Sequence, residues 1–105
     1  MLFRSQLDEA EELFRAALRL EPRNPELLWR AAMIHFQQGR LGEAEQEVRL
    51  ASTLTPSQPR VHLLLAKIYL KTGRAHEAVA EAKEAVRLDP RLEEAKDLLR
   101  RLRRQ

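Results

Sequence analysis

Three histidines are the residues of this sequence best suited to acid–base or metal chemistry: His35, His62 and His76. They fall on three different predicted elements, and the chain contains no HExxH sequence, glycine-rich phosphate loop or GxSxG sequence. We expect His35 and His62 to pack between helices and His76 to lie at an exposed turn. A metal-binding or acid–base role is the alternative interpretation of the same residues.

The carboxylates and the lack of thiols add no catalytic pattern. Glu43, Glu45 and Glu47 are interpreted as the solvated outer face of a helix, not as a carboxylate pair directed at a substrate. The sequence contains no cysteine, which excludes disulfides, thiolate nucleophiles and cysteine-based zinc sites. We therefore predict a protein that is not an enzyme, with no cofactor, no bound metal and no small-molecule substrate.

A period of 34 residues organises the elements that carry these side chains. Four columns of residues repeat at this spacing: Pro22, Pro56 and Pro90; Ala10, Ala44 and Ala78; Ala17, Ala51 and Ala85; and Leu20, Leu54 and Leu88. Repetition at a period of this length indicates a stack of identical supersecondary units.

Local signals predict that each unit is a pair of helices. Asn24 is a favourable N-cap, Pro25 suits the first helical position, and Gly39 can end the helix in the left-handed conformation. Apolar residues spaced by three and four positions then predict a second helix between Leu41 and Leu54. The next 34 residues repeat the same arrangement.

At these residues the chain resembles the tetratricopeptide repeat (TPR) family, whose unit is a helix-turn-helix of 34 residues. Small-residue columns of the family fall on Ala32 and Ala66 in the first helices, and Tyr69 occupies the aromatic column. His35 replaces that aromatic residue in the earlier repeat, and His62 stands where a large apolar residue is usual. The resemblance implies an all-α fold, a right-handed superhelical array of antiparallel helix-turn-helix units with a C-terminal capping helix.

The resemblance also implies how one TPR domain, residues 1–105, is divided. We expect a half repeat over 1–22, complete repeats over 23–56 and 57–90, and a capping helix over 91–105. Five residues of the capping helix are predicted to pack inward: Leu92, Ala95, Leu98, Leu99 and Leu102.

The half repeat should leave one helix face uncovered, because it contains only the tail of a first helix, Met1–Arg4, before its second helix. The predicted self-association face comprises Leu7, Ala10, Phe14 and Ala17. Structural self-assembly as a homodimer is accordingly one functional hypothesis. In a longer array a preceding helix would cover the same face, and the sequence leaves open whether Met1 is a natural start.

The leading hypothesis is a non-catalytic scaffold or adaptor that binds a peptide or partner helix in the concave groove typical of the family. Trp29 and Met33 would serve as apolar anchors, and Arg60, Lys67 and Lys71 would select an acidic ligand. The full predicted surface is Glu26, Trp29, Arg30, Met33, Gln37, Arg60, Leu63, Leu64, Lys67 and Lys71. The alternative is that Trp29 packs against a neighbouring helix and that the lysines only solvate a face.

One subgroup of the family grips the C-terminal carboxylate of heat-shock chaperones with lysine, asparagine and arginine side chains. The matching positions in this sequence hold Trp29, Met33, Leu64, Glu94 and Leu98. We therefore do not expect a chaperone-tail adaptor of that type.

The charge of the chain, +3 overall, is concentrated towards its C-terminal end. Residues 91–105 carry a net charge of +3, which allows nucleic-acid binding as a third, less favoured hypothesis, since aromatic residues for base stacking are few. A solvated capping helix with an Asp97–Arg101 pair is the alternative.

No signal sequence or membrane-spanning segment is visible, which favours a cytoplasmic location. The compartment and the identity of the partner are left open.

Overall fold

The computed structural model describes residues 3–104, and all the regular elements in that range are α-helices. They are α1 (Arg4–Leu20), α2 (Pro25–Gln37), α3 (Leu41–Leu54), α4 (Pro59–Lys71), α5 (Ala75–Leu88) and α6 (Glu93–Arg103). The chain forms two compact units, residues 1–55 with α1–α3 and residues 56–105 with α4–α6. The all-helical prediction is confirmed. The expectation that Met1–Arg4 is the tail of a preceding helix is wrong for its described residues, because Phe3 is the N-cap and Arg4 the first residue of α1. Met1 and Leu2 lie outside the described residues.

The helix boundaries have the local causes that the sequence indicates. The side chain of Asn24 accepts hydrogen bonds from the backbone N–H groups of Glu26 (3.0 Å) and Leu27 (3.2 Å). These bonds satisfy donors that have no partner within the helix, and Pro25 occupies the first helical position, where no donor is needed. The same proline placement starts α4 at Pro59.

The turn inside each hairpin depends on a glycine in the left-handed region. Gly39 has φ +80° and Gly73 has φ +77°. In each turn the residue after the glycine donates a backbone hydrogen bond of 2.8 Å to a carbonyl in the last turn of the helix, from Arg40 to His35 and from Arg74 to Tyr69. This is the Schellman arrangement, and it reverses the chain so that the second helix packs antiparallel to the first.

Small side chains allow the two helices of each hairpin to approach closely. In the first unit Ala32 of α2 and Ala44 and Ala51 of α3 are fully buried. In the second unit the residues in the same columns are fully buried as well: Ala66, Ala78 and Ala85. Because none of these side chains extends beyond Cβ, larger neighbours such as Val48 and Ile68 fill the remaining volume.

Helix α6 closes the second unit by packing on α5. Four of the five residues predicted to face inward are buried, namely Ala95, Leu98, Leu99 and Leu102, and the fifth, Leu92, is the half-buried N-cap. The helix starts at Glu93, two residues after the predicted segment begins, because the Asp89 carboxylate accepts a bond from the backbone N–H of Arg91 and holds a turn there.

Candidate partner-binding surfaces and a buried histidine cluster

The first candidate surface is the side of α2 that carries Trp29 and Met33, one helical turn apart. Both side chains are half-buried, and Gln37 is exposed one turn further on. Glu26 and Arg30 form an exposed ion pair (2.9 Å) next to them. The Arg30 guanidinium lies 5.9 Å from the centre of the Trp29 ring. This side of α2 therefore offers partly accessible apolar area bordered by one acidic and one basic group.

The second candidate surface is on α4, where the basic residues are accessible and the leucines are not. Arg60 and Lys71 are exposed, and the side chain of Lys67 is 33% exposed. Leu63 and Leu64 are both buried. Neither leucine has much area to offer a ligand, since each is part of the core of this structure.

Lys67 is already paired with a carboxylate, because its ammonium contacts Glu94 of α6. This pair borders a pocket of about 580 Å³. The pocket is lined by Lys67, Glu94, Asp97, Leu98, Arg100, Arg101 and Arg104. Asp97 bonds to Arg100 at 2.7 Å. The prediction of an Asp97–Arg101 pair is therefore wrong, because the ion pair joins residues that are three positions apart instead of four. Among the residues that line this pocket, basic groups thus outnumber acidic ones, although Lys67 is paired with Glu94.

The residues predicted for self-association differ in their burial on α1. Leu7 is buried. Phe14 is half-buried and lines a pocket of the first unit. Ala10 and Ala17 are only half-buried. The four alanines in the same columns of the complete repeats are fully buried: Ala44, Ala51, Ala78 and Ala85.

Two leucines that the sequence reasoning did not select make the uncovered side of α1 apolar. Leu13 is 71% exposed and Leu20 is 86% exposed, and both share the helix side of Ala10 and Ala17 because they follow at spacings of three and four residues. Leu54 and Leu88, in the column of Leu20, are half-buried. For Leu20 the 34-residue column contains this signal, since a residue that is partly covered in both complete repeats should be uncovered in the half repeat.

A buried histidine with carboxylates at both ring nitrogens is the feature that sequence reasoning missed. His35 places Nδ1 at 2.6 Å from Glu47 and Nε2 at 3.1 Å from Glu11. Glu43 lies 3.7 Å from Nε2, and Arg40 contacts Glu11. The interpretation of Glu47 as part of a solvated face is wrong, because the side chain is mostly buried and reaches inward from α3 to α2. It is also wrong for Glu45, whose side chain is 16% exposed, whereas Glu43 is exposed.

The pKa shifts of this cluster show that it holds a proton. Burial lowers the pKa of His35, but hydrogen bonds to Glu47 and Glu11 outweigh it and raise the pKa above its ordinary value. Burial raises the pKa of Glu47, and the bond to His35 only partly opposes that effect. Burial also acts to raise the pKa of Glu11, yet its bonds from His35 and Gln38 and the charge of Arg40 lower it. The raised pKa values of His35 and Glu47 both favour a proton on this pair.

The other two histidines have different surroundings. His62 is buried, with Nδ1 at 3.0 Å from Glu81 and Nε2 at 2.7 Å from the carbonyl oxygen of Pro56. It is a helix-packing residue, as expected. His76 is exposed, but it is the second residue of α5 and not part of a turn.

Within residues 3–104, ligand atoms of Glu11, His35 and Glu43 come within 4.8 Å of one another, a spacing compatible with a metal ion. The Arg40 guanidinium already contacts Glu11 there.

Two helical hairpins, each with a left-handed glycine turn and buried alanines between its helices, define a helical-repeat protein. The sequence matches two family models of the tetratricopeptide repeat, at residues 4–68 and at residues 59–92. The chain belongs to the tetratricopeptide repeat family. A comparison with curated protein sequences finds no match.

Solved TPR structures share the fold at low sequence identity. The first TPR of Spaghetti (RPAP3), bound to HSP90 peptide SRMEEVD, is 23% identical with a TM-score of 0.90, covering 96% of this chain and 80% of that one. The Arabidopsis OM64 TPR domain is 23% identical with a TM-score of 0.91, over 96% and 84%. The Yersinia enterocolitica type III secretion chaperone SycD, in complex with a peptide of the translocator YopD, is 15% identical with a TM-score of 0.85, over 94% and 81%. None of the described helices is long and apolar enough to cross a membrane.

Proposed function

We propose that this chain is a non-catalytic interaction domain that binds an acidic peptide or partner helix through the first helices of its repeats, α2 and α4. The observation that carries the proposal is the contact between Lys67 and Glu94, in which a side chain of the predicted surface holds a carboxylate. Membership in the TPR family supports an interaction role, and the Spaghetti (RPAP3) and SycD structures contain bound peptides.

The part of the site on α2 would supply an apolar anchor. Trp29 is rigid and Met33 is flexible, and both keep accessible area, so the pair can adapt to an apolar side chain of the ligand. Aromatic residues with partial exposure commonly dominate the binding free energy of an interface. Arg30 and Glu26 would form the polar rim.

The part of the site on α4 would select for negative charge. Arg60 and Lys71 are exposed, and Lys67 already engages a carboxylate. Charged groups at an interface mainly set partner choice and the association rate. The ligand is expected to differ from a chaperone tail, since Trp29, Met33 and Leu64 occupy positions where that subgroup has polar side chains.

The test is selection of peptides from a phage-displayed random library on the full chain, followed by calorimetry with a selected acidic peptide. Trp29→Ala and Lys67→Gln should each weaken binding by about tenfold or less, and the double variant should weaken it further. Lys83→Gln, an exposed lysine of α5, is the matched control and should bind normally. Thermal melting checks that each variant is folded. Unchanged binding by the folded double variant would refute the site.

A second candidate function is self-association through α1. The half-buried Ala10 and Ala17 together with exposed Leu13 and Leu20 form an apolar face without a covering helix among the described residues. Exposed apolar area of this kind marks interaction surfaces, and a symmetric dimer would bury one copy of the face against another. Solution molar mass tests this candidate and is treated in the Discussion.

A further inference from the structure

The first unit contains a pocket of about 400 Å³ that the proposed peptide surface does not use. It is lined by Glu11, Phe14, Arg15, Leu18 and Arg19 of α1, by Pro22, by Ala31 and His35 of α2, and by Glu47 of α3. On α2, Ala31 follows Trp29 by two residues, which turns it about 200° around the helix axis. The pocket therefore lies on the side of α2 opposite Trp29 and Met33, and the two features can be tested separately.

The repeat pattern gives a physical reason for this pocket. Ala31 and His35 stand in the columns that Leu65 and Tyr69 occupy in the second repeat. Leu65 and Tyr69 are buried, so those two columns normally hold large core side chains. Alanine and histidine fill less volume in the first repeat, and a cavity is left between α1 and α2.

The lining indicates what kind of ligand the pocket accepts. Its walls are mainly apolar, with Phe14, Leu18 and Pro22 facing the cavity. The polar atoms beside them are bonded to one another, since Glu11 and Glu47 both bond to His35. The lining holds the acidic residues Glu11 and Glu47 as well as basic residues, so a charged ligand of either sign would meet groups of its own charge without its full hydration. An uncharged ligand avoids both costs.

The cationic groups of the lining favour an aromatic ring over an aliphatic one. Arg15 and Arg19 contribute guanidinium groups, and His35 is held between two carboxylates that favour its protonated form. Cations are attracted to the face of an aromatic ring, and Phe14 offers a ring for stacking. The volume is within the range of sites for small organic molecules.

We propose that this pocket is a binding site for an uncharged aromatic small molecule, held between Phe14 and Leu18 of α1 and Ala31 and His35 of α2. The site is independent of the peptide surface on the other side of α2. It is a ligand site and includes no chemical step.

The test compares phenol with cyclohexanol, which has the same number of heavy atoms, by backbone-amide NMR titration of the full chain. Phenol should give saturable shifts at Phe14, Leu18, Ala31 and His35, and cyclohexanol should bind about threefold more weakly. Equal binding of the two probes would overturn the aromatic preference. Shifts that do not saturate or that spread evenly over both units would overturn the site.

Two variants and a control complete the test. Ala31→Leu introduces the side chain of the second repeat into the cavity and should weaken phenol binding by about tenfold or more. Ala16→Leu makes the same change at an exposed position of α1 and should leave binding unchanged. Phe14→Leu keeps the pocket apolar and should reduce the preference for phenol, which keeps the proposal testable if Ala31→Leu does not fold. Undiminished binding by folded Ala31→Leu would refute the location.

Discussion

Nδ1 of His35 lies 2.6 Å from Oε1 of Glu47, although twelve residues separate them in sequence. The opposite ring nitrogen faces Glu11 at 3.1 Å and, more distantly, Glu43. A neutral imidazole has one N–H group and can donate to only one carboxylate, so both bonds form only when the ring or the Glu47 carboxyl carries an additional proton. The packing of α1 and α3 on α2 is thus linked to a titratable proton.

This linkage predicts that the protein loses stability as the pH rises above 6.5. A raised pKa of His35 means that the stabilisation is complete below the ordinary value of 6.5 and is lost as the pH rises through the pKa of the folded state. The raised pKa of Glu47 has the same sign, because ionising that buried carboxyl costs free energy in the folded state. The free energy of unfolding should fall by up to about 1.4 kcal/mol per pH unit for each proton within that window.

Urea unfolding followed by circular dichroism over a pH series measures this slope. His35→Gln should flatten it above pH 6.5. His76→Gln removes an exposed histidine of α5 and should leave the slope as it is in the original protein. Equal slopes for His35→Gln and the original protein would contradict the assignment to this cluster. Glu11 affects stability at acidic pH. Because its pKa is lowered in the folded state, the ionised carboxylate contributes stability that is lost as the pH falls through the folded-state pKa.

Removing the carboxylate that occupies Lys67 should strengthen binding of an acidic peptide. Glu94→Gln leaves the ammonium available, and an exposed ion pair of this kind is worth about 0.2–1 kcal/mol, which corresponds to an affinity gain of about fivefold at most. Glu93→Gln changes the net charge equally but affects a carboxylate that pairs with Lys96. Calorimetry with one selected peptide measures both variants. An equal gain in the two would assign the effect to net charge and not to Lys67.

The uncovered side of α1 should control self-association. Light scattering during size-exclusion chromatography should detect a dimer whose fraction rises with concentration, because Leu13 and Leu20 leave water when two copies pair. The double variant Leu13→Glu/Leu20→Glu should be monomeric, whereas Lys83→Glu, which makes the same change in net charge at an exposed position of α5, should still dimerise. A monomer at every concentration would remove the homodimer from the candidate functions.

The turn glycines should differ in their tolerance of alanine from a glycine inside a helix. Gly73→Ala places a side chain on a residue with φ +77° and should cost about 1–2 kcal/mol of unfolding free energy, although no atom lies within 4 Å of the added Cβ. Gly42→Ala, in α3 and also without near contacts, should be neutral or stabilising by up to about 0.5 kcal/mol. Thermal or urea unfolding compares the two. Similar costs at both positions would show that backbone conformation is not the cause.

The helices could be predicted closely because their causes are local. Asn24, Pro25 and Gly39 act within a turn of their own positions. The resemblance to the TPR family assigned the alanine columns to helix contacts and residues 91–105 to a capping helix. These signals do not depend on how distant side chains are oriented.

The histidine cluster could not be predicted in the same way. Glu11 precedes His35 by 24 residues and lies on another helix, so its role depends on the rotation of α1 about its own axis. Glu47 resembles its neighbours Glu43 and Glu45 in sequence, and only the geometry of the hairpin places it against Nδ1 of His35. Comparison of columns offered one usable signal, the substitution of Tyr69 by His35.

Leu13 occupies the column of Glu47 and Glu81, and each of those glutamates bonds to a buried histidine of the preceding helix. A leucine at this position can neither donate nor accept a hydrogen bond. Any helix that covers α1 must therefore pack against Leu13 through apolar contact alone. Such an association should tighten in sulfate-containing buffer and weaken on cooling, because both conditions act on the burial of apolar surface.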